Sequence, residues 1–200
     1  MNKILILFAH PALEKSIVNK SLFSALQGLE KITTHDLYEV YPDFFIDVTF
    51  EQELLKEHDI IVFQHPLYWY SSPALLKKWQ DLVLEHGFAY GEGATALHGK
   101  KLLSAITTGG IREAYQKNGV NRYTIRQILT PFDQSAHFCG MEYLPPFVVH
   151  GARLEDNCGN TDRLAREYQT LILALRDNRL NYQEIRQYEY LNQCLDLLNP

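Results

Sequence analysis

The feature that most limits the possible folds is a short run near the amino terminus in which every side chain is apolar. Residues 4–9 carry no charged or polar side chain, and Pro11 follows closely. A strand of this kind is buried on both faces, as in a parallel sheet covered by helices. The run is too short to span a membrane, and the His10-Pro11 pair is not a signal-cleavage site. We therefore expect it to be the first strand of a parallel sheet.

Helical and extended segments alternate along the rest of the chain. Apolar spacing predicts helices after Ser16 through residue 29 and over residues 50–58, 73–82, 125–138 and 161–175. Strands are expected over residues 33–37, 60–64, 102–106 and 147–150. Such alternation implies an α/β fold with a parallel sheet, right-handed crossovers and helices on both faces. We expect one domain over residues 1–178 and a mainly helical tail over residues 179–200, packed on the last helix or, as the less favoured alternative, on a partner subunit.

Composition excludes several classes of protein. The net charge of -5 without a long basic stripe gives no support for nucleic-acid binding. Cys139, Cys158 and Cys194 are odd in number and form no Cys-x-x-Cys pair, which argues against a disulfide framework and fits a reducing cytoplasm. The eight histidines show no ligand spacing, so we predict no metal.

Three loops carry residues that could bind a ligand, and the first runs from the first strand into the first helix. Backbone N–H groups and the helix dipole favour an anion there, and His10, Ser16 and Asn19 add side-chain donors. On this loop alone, a simple helix cap at Ser16 and a turn at Pro11 are the favoured alternative. The loop matches neither the nucleotide-binding P-loop nor the Gly-x-Gly-x-x-Gly fingerprint, which disfavours a kinase or an ordinary dehydrogenase.

Two further loops follow the third and fourth expected strands. The second, residues 65–73, carries the adjacent aromatics Tyr68, Trp69 and Tyr70, which either contact a planar ligand or pack beneath the loop. The third contains Gly109 and Gly110, whose backbone can approach a ligand closely or simply form a turn. Because ligands of open α/β sheets bind beyond the carboxyl ends of the strands, the three loops together indicate a binding site.

The order of motifs, through about residue 175, resembles a known family: the flavodoxin-like NAD(P)H quinone reductases, which include DT-diaphorase and, as the most similar group, the KefF-type ancillary proteins of bacterial potassium-efflux systems. The resemblance rests on Phe8-Ala9-His10-Pro11, Tyr41-Pro42-Asp43-Phe44, Gln64-His65-Pro66-Leu67-Tyr68-Trp69-Tyr70, Gly93-Ala94-Thr95-Ala96-Leu97-His98-Gly99-Lys100 and Thr107-Thr108-Gly109-Gly110.

This resemblance implies a flavodoxin-like, doubly wound, five-stranded parallel sheet of order 2-1-3-4-5 and a homodimer with active sites at the subunit interface. It implies FMN, or alternatively FAD, and two-electron hydride transfer from NAD(P)H to a quinone by a ping-pong mechanism. A second hypothesis is a regulatory ancillary subunit of a potassium/proton antiporter. The chain would then be cytoplasmic, with a peripheral position at the inner membrane. A one-electron carrier of flavodoxin type ranks last.

The resemblance also implies residue roles. Tyr115 would assist hydride transfer, whereas Asn121 stands where the family has a histidine and cannot exchange a proton as imidazole does. Arg112 or Arg122 either contacts a phosphate of NADP(H) or, as the favoured alternative, belongs to a solvated loop. The flavin phosphate would be held by His10, Ser16, Ile17, Val18 and Asn19, and the isoalloxazine ring would be lined by Leu67, Tyr68, Trp69, Tyr70, Thr107, Thr108, Gly109 and Gly110.

Overall fold

The computed structural model describes residues 1–154 and 159–198 and has the expected alternation of strands and helices. The strands are β1 (Ile4–Phe8), β2 (Ile32–Asp36), β3 (Ile60–Pro66), β4 (Lys101–Thr107), β5 (Glu142–Tyr143) and β6 (Phe147–Val149). The helices are α1 (Ile17–Ser24), α2 (Leu37–Val40), α3 (Val48–Glu57), α4 (Ala74–Val83), α5 (Ile125–Ile128), α6 (Thr130–Phe138), α7 (Thr161–Arg176), α8 (Tyr182–Ile185) and α9 (Leu195–Leu198). Short 3-10 turns lie at Leu13–Lys15, Arg112–Ala114 and Leu191–Cys194.

The sheet has the expected order β2-β1-β3-β4-β5, and all of its strand pairs are parallel. The predicted flavodoxin-like α/β topology is therefore confirmed. One detail was wrong, because the last edge consists of two short strands instead of one. Pro145 and Pro146 separate β5 from β6, and since proline has no N–H to donate, the ladder along β4 is interrupted there.

Two predicted helices also differ from the structure. The segment 125–138 forms α5 and α6 with a break at Leu129, because Pro131 cannot donate the hydrogen bond that would continue the first helix. The first helix ends at Ser24 instead of continuing to residue 29, and Gly28 with a φ of 74° lies in the turn that follows it. The other expected bounds shift by one or two residues.

The apolar side chains form two cores, one on each face of the sheet. Leu5 and Leu7 of β1 face one core, which includes Trp79 of α4, whereas Ile4 and Phe8 face the other. The second core contains α1 and α7 and much of the carboxyl-terminal segment. Burial of β1 on both faces confirms the interpretation of the first apolar run.

The carboxyl-terminal segment lies along β6. The side-chain amide of Asn192 accepts from the backbone N–H of Val148 at 2.8 Å and donates to its carbonyl at 3.0 Å. These bonds pair backbone groups that the sheet edge would otherwise expose. Among the cysteines, Cys139 and Cys194 are free and buried, and Cys158 lies outside the described residues. Within the described parts of the chain, no helix is both long and apolar enough to cross a bilayer.

Candidate active site

The three loops singled out in the sequence meet at the carboxyl edge of the sheet. The register places Phe8 beside Gln64 and Pro66 beside Thr107, so β1, β3 and β4 release their loops at the same edge. A cavity of about 410 Å³, called here the polar end, lies between them. It is lined by His10, Ala12, Lys15, Ser16, Ile17, Asn19, Pro66, Leu67, Tyr68, Thr107, Thr108, Gly109, Ala152 and Arg153.

Asn19 ties the first loop to the third. Its amide nitrogen donates to Ser16 Oγ and to Thr107 Oγ1, both at 2.9 Å. Ser16 occupies the N-cap position of α1, but its side chain makes no capping bond and instead accepts from Asn19. Asn19 Oδ1 is buried and has no hydrogen-bond partner within the described residues. A buried acceptor of this kind indicates a place for a ligand donor or a water molecule.

His10 is held as a neutral donor. Burial lowers the pKa of this imidazole, with an opposing effect from Glu14 and a further lowering by the Arg153 charge. The backbone N–H of Ala12 donates to His10 Nδ1 at 3.1 Å, so the neutral ring carries its proton on Nε2. The side chain is only 6% exposed. His10 therefore offers one N–H donor in a fixed orientation.

Two cations at the polar end were missed in the sequence. Lys15 precedes the helix N-terminus, and Arg153 follows β6 on the same edge of the sheet. Arg153 could have been predicted from the sequence, because every loop at the carboxyl edge of a parallel sheet is a candidate for ligand contact. The two positive charges favour an anionic group in this cavity.

A second cavity of about 240 Å³, called here the aromatic end, continues the first. Leu67 and Gly109 line both cavities, which makes them one cleft. Tyr115 is nearly buried, whereas Tyr70 is half-exposed and donates from its hydroxyl to Asn121 Oδ1 at 3.2 Å. The remaining lining residues are Trp69 and Gly110.

The aromatic loop is a strained turn with outward side chains. Trp69 and Tyr70 have φ angles of 48° and 61°, and Tyr68 and Ser71 exchange two backbone hydrogen bonds of 3.0 Å around them. Left-handed backbone is uncommon for such residues and concentrates at functional sites. Trp69 is 93% exposed, so the alternative in which these two rings pack beneath the loop is wrong.

The remaining candidates fall in different places. Val18 lines neither cavity, because its side chain is buried in the core beneath α1. Arg112 is paired with Glu189 at 2.8 Å. Arg122 is exposed and has a φ of 61°. A Cβ added to Gly109 would meet no atom within 4 Å in the part of the chain that the structure describes, so it would project into open space there.

Comparisons with known proteins agree on the fold. A family profile described as flavodoxin-like fold matches residues 2–172. The glutathione-regulated potassium-efflux system ancillary protein KefG of Serratia proteamaculans is 54% identical over 76% of this chain and 82% of that protein.

Solved structures with a similar fold belong to proteins named for different chemistries. General stress protein 14 from Treponema denticola, in complex with FMN, aligns with a TM-score of 0.81 at 38% identity over 89% of this chain and 99% of that one. An NADPH-quinone reductase from P. pentosaceus aligns with a TM-score of 0.75 at 36% identity, over 84% of this chain and 96% of that one. A structure described as a thermophilic tryptophan halogenase from Streptomycin violaceusniger aligns with a TM-score of 0.78 at 47% identity, over 82% of this chain and 96% of that one. Because one fold hosts many activities, function has to be argued from the cleft.

Proposed function

Because the chain belongs to the family described as having the flavodoxin-like fold, we propose that it is an FMN-dependent oxidoreductase that transfers two electrons from NAD(P)H to a quinone. One observation carries this proposal: the three loops form a single cleft with a cationic, donor-rich end and an aromatic end. FMN has the same polarity, with a phosphate at one end and a planar ring at the other. A relative solved with FMN and another titled NADPH-quinone reductase support this proposal.

The polar end fits the phosphate and ribityl part of FMN. His10 Nε2, the backbone N–H groups at the start of α1 and the two cations Lys15 and Arg153 would bind the phosphate. Asn19 Oδ1, which is buried without a partner in the described chain, would accept from a ribityl hydroxyl. These groups are already positioned by the Asn19 bonds to Ser16 and Thr107.

The aromatic end fits the ring. Leu67 offers apolar surface at this end, and Tyr68 lies beside it at the polar end. A Cβ on Gly109 would meet no atom of the described residues within 4 Å, so the space in front of this glycine is open. We assign the backbone N–H groups of Gly109 and Gly110 to the pyrimidine part of the ring, where negative charge develops on reduction. When bound, FMN supplies the two-electron chemistry through which NAD(P)H and the quinone react in two separate half-reactions.

We assign to Tyr115 the role of donating a proton to the electron acceptor. Its side chain and Asn121 line the same cavity, and an amide cannot take up and return a proton. The phenol Oη of Tyr115 would therefore donate to the acceptor oxygen, and solvent would restore the proton because this end of the cleft is open. We further propose that a homodimer covers the exposed Trp69 side chain.

The proposal is tested on the purified protein. We expect a yellow protein whose released chromophore has the mass of FMN and which oxidises NAD(P)H when menadione is added under anaerobic conditions. Free FMN at the same concentration serves as the control. A colourless protein that takes up no flavin would overturn the proposal, and sedimentation velocity tests the homodimer separately.

The KefG relative favours one second candidate, a regulatory ancillary subunit of a potassium/proton antiporter. Such a subunit would dock from the cytoplasmic side and use its flavin for stability or sensing. Co-purification with a tagged antiporter, together with flavin but without quinone turnover, would favour this role. Turnover without any copurifying antiporter would favour the enzyme.

A further inference from the structure

The family match ends at residue 172, yet the chain beyond it is connected through His150 to Tyr115 at the aromatic end of the cleft. Tyr190 is 4% exposed, and its ring centroid lies 5.5 Å from that of His150. The His150 ring in turn lies 5.6 Å from the ring of Tyr115, with an interplanar angle of 38°. Three aromatic rings thus connect the carboxyl-terminal segment to the site.

His150 also contacts the glycine loop. Its Nδ1 lies 3.3 Å from Thr108 Oγ1, and that hydroxyl donates to the carbonyl of Gly110 at 2.8 Å. Tyr115 packs directly on the same loop, since a Cβ at Gly110 would be 3.2 Å from Tyr115 Cε2. A shift of the His150 ring would therefore move both Tyr115 and the glycine loop.

A second connection runs through Arg112. Its guanidinium pairs with Glu189 at 2.8 Å and lies 5.4 Å from the centre of the Tyr190 ring. Arg112 begins the short 3-10 turn that leads into Tyr115. The segment that carries Tyr115 is therefore connected to the carboxyl-terminal segment both through His150 and through Arg112.

We infer that Tyr190 is a positioning residue, through which the carboxyl-terminal segment holds Tyr115 and the Gly109-Gly110 loop in place for the reaction proposed above. The inference rests on that proposed function. Burial lowers the pKa of His150 to about 4. The Arg112 charge lowers this pKa further, and the charges of Glu189 and Glu113 oppose the shift. His150 is thus neutral near pH 7 and acts here by packing.

The main test compares Tyr190→Leu with Tyr190→Phe and with Tyr188→Leu. Tyr188 is a matched control, because it belongs to the same segment and packs against the core beneath α7. We expect Tyr190→Leu to lower kcat roughly tenfold and to change the KM for NAD(P)H less than about twofold, since misplacement affects the reacting geometry. Tyr190→Phe keeps the ring and should restore kcat to within about threefold of wild type.

A second readout uses the flavin-free protein. Hydrogen exchange of residues 111–122 should accelerate roughly tenfold in Tyr190→Leu and stay unchanged in Tyr188→Leu, because only the first variant removes the ring behind this loop. If Tyr190→Leu does not fold, Glu189→Gln replaces it. Both partners of that ion pair are partly exposed, so we expect a folded protein with exchange about threefold faster over the same residues.

The outcomes separate the two proposals. Wild-type protein without flavin or turnover refutes the proposed function, and hydrogen exchange then decides whether the segment positions the loop. If wild-type turnover is normal and Tyr190→Leu changes neither kcat nor hydrogen exchange, the inference is overturned. If Tyr190→Leu is unfolded, unchanged hydrogen exchange in Glu189→Gln overturns it instead. Equal losses in Tyr188→Leu and Tyr190→Leu also overturn it, because they would indicate general destabilisation.

Discussion

The two ends of the cleft are built in opposite ways. At the polar end, His10, Asn19 and Thr107 are buried; His10 accepts from the backbone of Ala12 in its own loop, and Asn19 donates to Thr107 of β4. At the aromatic end, Trp69 is almost fully exposed and Tyr70 is half-exposed on a strained turn. Folding alone therefore orders the first end, whereas the second end still has surface available to a ligand or a second copy. Groups that are ordered before binding lose little entropy on binding, so we expect the polar end to dominate cofactor affinity.

The largest expected effect comes from blocking the point where the two ends meet. Gly109→Val would place a branched side chain in the open space shared by both cavities. We expect the affinity for FMN to fall at least about 100-fold, or about 3 kcal/mol, because the ring would have to displace the valine. Fluorescence quenching of added FMN by the flavin-free protein measures this affinity.

Gly159→Val is the matched control, since Gly159 is exposed and a Cβ there also meets no atom of residues 1–154 and 159–198 within 4 Å. The flavin-free Gly109→Val protein should melt within about 2 °C of wild type, because the added Cβ meets no atom of the described residues within 4 Å. Wild-type FMN affinity in Gly109→Val would show that the ring does not lie in front of Gly109.

The next largest effect concerns the buried strand end beneath the cleft. His65 is completely buried, and desolvation, despite its hydrogen bond to the Pro66 carbonyl, lowers its pKa from 6.5 to about 4. Since the folded pKa lies below the unfolded value, the unfolded chain binds the extra proton as the pH falls between these values. Stability is therefore retained above pH 6.5 and lost toward pH 4. Between about pH 7 and about pH 5, His65 alone should remove about 2 kcal/mol from the free energy of unfolding.

Urea unfolding at the two pH values tests this prediction. His65→Asn keeps an N–H donor for Pro66 but does not titrate, so its loss of stability on acidification should be smaller than that of wild type by about 2 kcal/mol. His137→Asn, at an exposed position on α6, should leave the difference unchanged. Equal pH dependence in wild type and His65→Asn would contradict the neutral, buried state of this side chain.

The sequence predicted what depends on continuous local patterns. Runs such as residues 4–9 predicted the sheet, because a short strand that is buried on both faces is apolar at nearly every position. The three loops followed from the rule that parallel strands end at one edge. Pro131 and the Pro145-Pro146 pair are visible in the sequence, but the helix break and the divided edge strand that they cause were not predicted from them. The contact of Tyr190 with His150 had no local signal, because it depends on how the last segment packs along the sheet edge at β6.

A smaller effect is expected for the charge at the polar end. Arg153 lines this cavity from the loop after β6, and its side chain is exposed. Arg153→Gln should weaken FMN binding about fivefold in low salt, because an exposed charge pair contributes about 1 kcal/mol. Arg166→Gln, an exposed substitution on α7, is the control. The difference between Arg153→Gln and wild type should shrink as salt is added, and a difference independent of salt would mean that Arg153 acts by shape and not by charge.

The smallest expected effect lies at the aromatic end. Tyr70→Phe removes the hydroxyl that donates to Asn121 Oδ1 at 3.2 Å. Because water can replace this exposed hydrogen bond, we expect FMN affinity to stay within about twofold of wild type. Tyr188→Phe, measured by the same titration, provides the matched control away from the cleft. If Tyr70→Phe weakened FMN binding as much as Arg153→Gln, the aromatic end would contribute to affinity as strongly as the polar end. The contrast between a preformed end and an open end would then be wrong.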